Sequence, residues 1–348
     1  MADWPRRTPS APRLDSLSRV RPLIRDELLP PRSPQRRHLI SIADLAREDV
    51  ERLLGLARTF ARSLERDVKK LPTLRGRTVV NLFYESSTRT SSSFELAAKR
   101  LSADVMSIKA AGSAVDKGES LKDTALTIGA YDPDVVVIRH PSIGAPQVVA
   151  RATRAHVVNA GDGTHQHPTQ ALLDLYTIEE DLGGIEGLHV AIVGDVLHSR
   201  VARSNIQALV LMGARVTLVG PPPLIPRGIE ALGCAVSYSV DAIEAADVVY
   251  VLRMQRERML AGANYVPSLR EYRARWGVTA DRLRPGQKVM HPGPMNRGVE
   301  IDAAVADAAD ALIQRQVRSG LVVRMAVLYD LLTHGPVEVK AAEIQEVA

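Results

Sequence analysis

From Tyr84 to Glu95 the chain reads YESSTRTSSSFE, seven hydroxyl residues around one guanidinium, Arg89. An apolar, β-like run precedes the stretch and a helical pattern follows it, so it falls at a helix start. Unpaired backbone N–H groups and the positive end of the helix dipole favour an anion there. Ser87, Thr88 and Thr90 add hydroxyl donors, and Arg89 adds a fork matched to phosphate oxygens. Ser92 and Glu95 form an S-x-x-E capping pattern, but one cap accounts for one hydroxyl, not seven.

Other polar clusters recur further along. GSAVDKGES puts Ser113 and Lys117 in a glycine-flanked loop. VVVIRHP leaves Arg139 just past an apolar strand, where it either pairs with an acid or faces a ligand. NAGDGTHQHPTQ holds His165, His167 and Gln170 without a third ligand at a usual metal spacing. His167 therefore reads as a hydrogen-bond donor at a helix start, with Gln170 on the same face. GDVLHSRVARSN lacks the G-x-G-x-x-G of a dinucleotide turn, and its Arg200 and Arg203, three apart, suit a carboxylate. LRMQRER offers Arg253, Gln255, Arg256 and Arg258, with Arg253 and Gln255 aimed alike by strand alternation. In HPGP, Pro292, Gly293 and Pro294 make a rigid turn that exposes carbonyl acceptors. No Ser-His-Asp set, reactive cysteine or metal cluster accompanies them, so the expected site holds anions and stabilises an oxyanion with neither cofactor nor metal.

The elements that must position these groups form two series. TVVNLFY (78–84), DVMSI (104–108), DVVVI (134–138) and HVVNA (156–160) read as strands, with helices near 92–102, 121–131 and 145–153 between them. HVAIVG (189–194), RVTLVG (215–220), AVSYS (235–239), DVVYVL (247–252) and QKVMHPGP (287–294) form the second series. Nearly continuous β-branched runs alternating with helices indicate parallel sheets covered on both faces. The fold class is α/β: two doubly wound parallel-sheet domains, 38–168 and 169–318, joined by inter-domain helices. A helix over 167–184, stopped by Gly183 and Gly184, links them, and a helix over 319–333 packs back on the first, leaving a tail at 334–348. In such sheets ligands collect at the carboxyl ends of strands, which is where the polar clusters lie.

Composition narrows the function classes. The 348 residues are 45% hydrophobic and 24% charged, the values of a globular protein, and hold one cysteine, Cys234, which fits a reducing, cytoplasmic setting. No apolar stretch is long enough for a membrane span. The net charge of +5 belongs entirely to residues 1–37, an Arg- and Pro-rich extension expected to be disordered. The remaining body is neutral, which argues against a general nucleic-acid surface.

Seven motifs in order, SSTRTSSSFE, DKGES, RHP, HPTQALLDL, GDVLHSRVARSN, LRMQRER and HPGPMNRGVEI, resemble those of the aspartate/ornithine carbamoyltransferase family over about residues 38 to 333. The resemblance implies carbamoyl transfer from carbamoyl phosphate to the amine of L-aspartate, an early step of pyrimidine biosynthesis. It assigns phosphate binding to Ser87, Thr88, Arg89 and Thr90, and carbonyl contacts to Arg139 and His167. Gln170 and the Pro292–Gly293–Pro294 turn would take the carbamoyl amide, and Arg200, Arg253 and Gln255 the aspartate carboxylates. Ser113 and Lys117 would reach a neighbouring subunit's site, implying a homotrimer with shared sites. A regulatory chain or a dihydroorotase is a further partner the family allows. Gly293 departs from the leucine of the best-known pattern, but the contact there is a backbone one. Ornithine-branch members resemble HPCQ, HCLP and an SMG loop, whereas this chain has HPTQ, HPGP and RMQRER. Two substrate carboxylates call for arginines, so the aspartate branch is preferred. A non-catalytic structural paralogue would be expected to have lost site residues that this chain keeps.

Overall fold

The computed structural model describes residues 38–109, 118–255, 258–259 and 265–333; Ser113 and Lys117 lie outside them, as do the two terminal segments. In chain order, the first half contains α1 (Arg47–Ser63), β1 (Thr78–Phe83), α2 (Thr88–Arg100), β2 (Asp104–Lys109), α3 (Leu121–Gly129), β3 (Val135–His140), α4 (Ala145–Ala152), β4 (His156–Asp162) and α5 (Pro168–Leu182). The second half contains β5 (His189–Val193), α6 (Arg200–Leu211), β6 (Arg215–Val219), β7 (Ala235–Ser237), β8 (Val248–Val251), α7 (Leu269–Trp276), β9 (Lys288–Met290), α8 (Ala303–Ala306) and α9 (Ile313–Leu332).

The strands form two all-parallel sheets, ordered β2-β1-β3-β4 and β7-β6-β5-β8-β9. Period-two alternation explains why both faces are apolar. Val79, Val135 and Val137 point into a core shared with α1, α2 and α9, while Val80, Leu82, Val136 and Ile138 point into one shared with α3 and α4. In the second sheet Val190 and Ile192 face α6, and Ala191 and Val193 face α7. The largest core runs without a break from the first sheet through α5 and α9 to Ile192, Tyr250 and Met290, so both helices pack within the layer that joins the sheets. Gly183, in the left-handed region at φ +78°, ends α5 as its position predicts.

Strand order reverses between β1 and β3 in one sheet and between β5 and β8 in the other. The carboxyl end of β3 supplies Arg139, and the chain leaving β1, β5 and β8 supplies Arg89, Arg200 and Arg253, to one cleft, the place where ligands enter such sheets. Two local expectations are corrected. The S-x-x-E pattern at Ser92 and Glu95 lies inside α2, because Ser87 is the N-cap and the helix starts at Thr88; Glu95 instead pairs with Lys99 at 2.6 Å. The helix expected over 319–333 begins at Ile313.

Candidate active site

The cleft between the two sheets measures about 1240 Å3. On one wall the start of α2 presents Ser86 to Thr90, with the Ser87 hydroxyl accepting from the Thr90 N–H at 3.4 Å. Arg89 is exposed to the cleft, and no described carboxylate pairs with it. Opposite stands the Pro292–Gly293–Pro294 turn. Gly293 lies at φ +62°, and a Cβ there would stand 2.7 Å from the Arg89 Cζ, so a residue without a side chain lets the turn approach the guanidinium. Arg324 of α9 braces the same helix: its Nη1 donates to the Ser93 hydroxyl at 2.6 Å, and its guanidinium lies 5.1 Å from the Phe94 ring.

Glu85, the residue just before the hydroxyl cluster, organises the other cations. Its Oε2 accepts from Arg139 Nε at 3.2 Å and from Arg200 Nη2 at 2.5 Å, and its Oε1 accepts from Arg258 Nη2 at 3.4 Å. Burial raises the Glu85 pKa, but Arg200 foremost, then Arg139 and Arg258, outweigh it and hold the carboxyl below its ordinary value. Burial foremost, and then the like charge of Arg200, lower the Arg139 pKa, while Glu85 opposes both and favours the charged guanidinium. Arg200 Nη1 also donates to the Gly163 carbonyl at 3.2 Å. The only carboxylate among the described cleft-lining residues is thus already bound to three guanidinium groups.

His167, the N-cap of α5, is buried with its backbone N–H donating to the Ser204 hydroxyl at 2.8 Å. Burial, reinforced by the charges of Arg139 and Arg200, pushes its pKa well below the usual histidine value. A neutral imidazole results, one able to donate a single hydrogen bond, and its Nδ1 is buried without a described partner. Gln170, one turn on, lines the cleft and donates to Asp174 at 3.0 Å.

The structure brings together Ser87, Thr88, Arg89, Thr90, Arg139, His167, Gln170, Arg200, Arg253, Gln255, Pro292, Gly293 and Pro294 on one cleft. Arg203 is not among the lining residues; its Nη1 donates to the Thr164 carbonyl at 2.8 Å. Gln255 and Arg258 are each tied to the β5–α6 turn, since the Gln255 N–H donates to Asp195 at 3.2 Å and Arg258 to the His198 carbonyl at 3.2 Å. Sequence reasoning missed Glu85, Asp174 and Arg324. Only Glu85 left a signal, an acid between a strand end and an anion cradle. No group of His, Cys, Asp or Glu among the described residues is arranged to hold a metal ion.

This arrangement can hold one anion at the start of α2, a second among the arginines of the other domain, and donate to an oxygen between them. Comparison with known proteins points the same way. Residues 37–180 match the family model for the carbamoyl-P binding domain of aspartate/ornithine carbamoyltransferase, and residues 186–331 match that for its Asp/Orn binding domain. The aspartate carbamoyltransferase catalytic subunit of Acidothermus cellulolyticus is 59% identical over 303 residues, covering 86% of this chain and 93% of that protein. The corresponding subunit of Moorella thermoacetica is 55% identical over 302 residues, covering 86% and 98%. A crystal structure of aspartate transcarbamoylase from Trypanosoma cruzi in complex with N-(phosphonacetyl)-L-aspartic acid superposes with a TM-score of 0.79 at 33% identity, covering 88% of this chain and 99% of that one. The catalytic subunit of the M. jannaschii enzyme gives 0.75 at 36%, covering 85% and 98%.

Proposed function

Because the chain belongs to the aspartate/ornithine carbamoyltransferase family, we infer that it transfers the carbamoyl group of carbamoyl phosphate to the α-amine of L-aspartate. The products are N-carbamoyl-L-aspartate and phosphate, which makes the reaction an early step of pyrimidine biosynthesis. One observation favours aspartate over ornithine as acceptor: the described cleft wall offers arginines, and its lone carboxylate, Glu85, is bound to three of them. A cationic ornithine side chain finds no spare acid there, whereas two substrate carboxylates find forks of matching geometry.

The first domain takes carbamoyl phosphate, its phosphate lying on the Ser87–Thr90 backbone and the Arg89 guanidinium. The second takes L-aspartate through Arg200, Arg253 and Gln255. The neutral amine attacks the carbonyl carbon, and the nitrogen sheds a proton as the C–N bond is completed. Thr90, Arg139 and neutral His167 donate to the oxygen as negative charge develops on it. Each such donor is worth about 3–4 kcal/mol. The C–O bond to phosphate then breaks, its oxygen takes up the proton shed by the nitrogen, and phosphate departs as the HPO4 dianion into the Arg89 cradle. Holding both substrates across one cleft supplies much of the remaining acceleration.

The sites are shared in a homotrimer, with Ser113 and Lys117 entering from a neighbouring chain. Supporting this, β2 is an edge strand, exposed or half-exposed along its whole length, and it leads directly into the segment that carries both residues. A cytoplasmic location fits the lone buried cysteine and the absence, among the described residues, of any helix long and apolar enough to cross a membrane.

Calorimetric titration with N-(phosphonacetyl)-L-aspartate tests the site assignment. It should bind at one site per chain, with affinity lost in Arg89→Ala at the phosphonate end and in Arg200→Ala at the carboxylate end. Unchanged affinity in either variant would refute that residue's role.

A further inference from the structure

Asp174 sits one helical turn beyond Gln170 on α5 and is 1% exposed. Its carboxylate receives four hydrogen bonds from four different elements. Gln170 Nε2 donates to Oδ1 at 3.0 Å and Gln316 Nε2 to the same oxygen at 2.8 Å. Asn205 Nδ2 donates to Oδ2 at 2.9 Å and the Tyr250 hydroxyl at 2.7 Å. An ionised carboxylate can only accept, so an amide that meets it must turn its NH2 group inward.

That requirement has two consequences at the cleft. Gln170 lines the cleft, its nitrogen is bound to Asp174, and no described group donates to its Oε1. With the nitrogen turned to Asp174, its oxygen is left as an open acceptor for a group in the cleft. Gln316, with its nitrogen also bound to Asp174, accepts at Oε1 from the His291 N–H at 2.9 Å. His291 immediately precedes the Pro292–Gly293–Pro294 turn, and its Nδ1 accepts from the Gly293 N–H at 2.8 Å. One buried carboxylate thus sets the direction of the Gln170 amide and anchors the base of the turn.

We propose that Asp174 is a positioning residue for recognition of the carbamoyl NH2 group: it fixes the Gln170 carbonyl oxygen toward the cleft and, through Gln316, holds the facing turn, so that acceptors converge on that amine. The proposal deepens the carbamoyl phosphate reading and rests on it. Asn205 and Tyr250 bind the other oxygen, so their role is to keep the carboxylate in place rather than to address the substrate.

The test compares carbamoyl phosphate with acetyl phosphate, which keeps the phosphate and carbonyl but has a methyl group in place of the amine. The KM for carbamoyl phosphate is measured beside the Ki of acetyl phosphate as its competitor, in the full-length enzyme and three variants. Asp174→Leu, which leaves Gln170 with nothing to fix its amide, should lose roughly tenfold or more of the preference for carbamoyl phosphate. Gln170→Leu should lose as much, and the double variant should lose no more than either single one. Tyr250→Phe should melt at a lower temperature yet keep the preference. Retained preference in Asp174→Leu, or equal loss in Tyr250→Phe, would overturn the proposal. If the wild-type enzyme itself shows no preference, the substrate reading fails, and the role of Asp174 with it. Should Asp174→Leu not fold, neutron diffraction from the wild-type protein decides: deuterons on Gln170 Nε2 pointing to Asp174 support the assignment, and the reversed amide refutes it.

Discussion

Substituting Glu85 by glutamine keeps the shape of the side chain and deletes the charge that faces three guanidinium groups. Its contacts in the structure are 2.5 Å to Arg200, 3.2 Å to Arg139 and 3.4 Å to Arg258, the last at the edge of hydrogen-bonding range. The Arg200 side chain is 3% exposed, and that of Glu85 is 23%. Removing one partner of a buried ion pair costs about 3–5 kcal/mol, and Glu85's residual exposure puts this case at the lower end, about 3 kcal/mol. For a domain pair of this size that is a fall of roughly 6 °C in Tm. Thermal melts in anion-free buffer, repeated with added phosphate, read the effect. Phosphate should stabilise the variant more than the wild type, because an anion among the arginines substitutes for the missing carboxylate. The KM for L-aspartate should rise as Arg200 loses its brace. Acid should also separate the two proteins. A carboxyl held below its ordinary pKa stabilises the fold above that value, and the contribution disappears as pH falls through the folded pKa, so only the wild type loses it. A variant that melts with the wild type and responds equally to phosphate would show that Glu85 does not hold these arginines.

Three further perturbations probe other parts of the site. Arg89→Ala removes a cleft guanidinium that no described carboxylate holds and should lower carbamoyl phosphate turnover at least about 100-fold; mixing it with inactive Lys117→Ala should recover activity in hybrid trimers, and no recovery in verified hybrids would exclude shared sites. His167, kept neutral by burial, makes the folded protein bind fewer protons than the unfolded chain below about pH 6.5. Stability should therefore fall on acidification through that value, and His167→Gln should show a shallower fall in denaturant titrations at several pH values. Gly293→Ala places a Cβ 2.7 Å from the Arg89 Cζ in a left-handed backbone, so it should raise the KM for carbamoyl phosphate; an unchanged KM would show that the close approach is not needed.

What was legible in the sequence follows from range. Strands such as VVVIRH announce themselves by continuous apolar residues, and the cluster after each one lies at a strand end, where an open parallel sheet binds ligands. The start of α9 was unreadable because its N-cap is Leu312, which makes no side-chain capping bond, so no start signal exists. At α2 the reverse happened: Ser92 and Glu95 copy a capping pattern, while Ser87 does the capping. Site residues that act across the fold left little local trace. Glu85 meets Arg200 over a separation of 115 residues, Asp174 meets Gln316 over 142, and Ser93 meets Arg324 over 231. Spacing rules describe turns of one helix or rungs of one strand, and none reaches that far.

One arginine-lined cleft should join carbamoyl phosphate to an amino acid with two carboxylates. Incubating the purified full-length protein with carbamoyl phosphate and either L-aspartate or L-ornithine, and quantifying the ureido product and released phosphate, tests it most directly. Aspartate should give N-carbamoyl-L-aspartate and phosphate in equal amounts, and ornithine no ureido product; citrulline from ornithine, or no product from aspartate, would overturn the assignment.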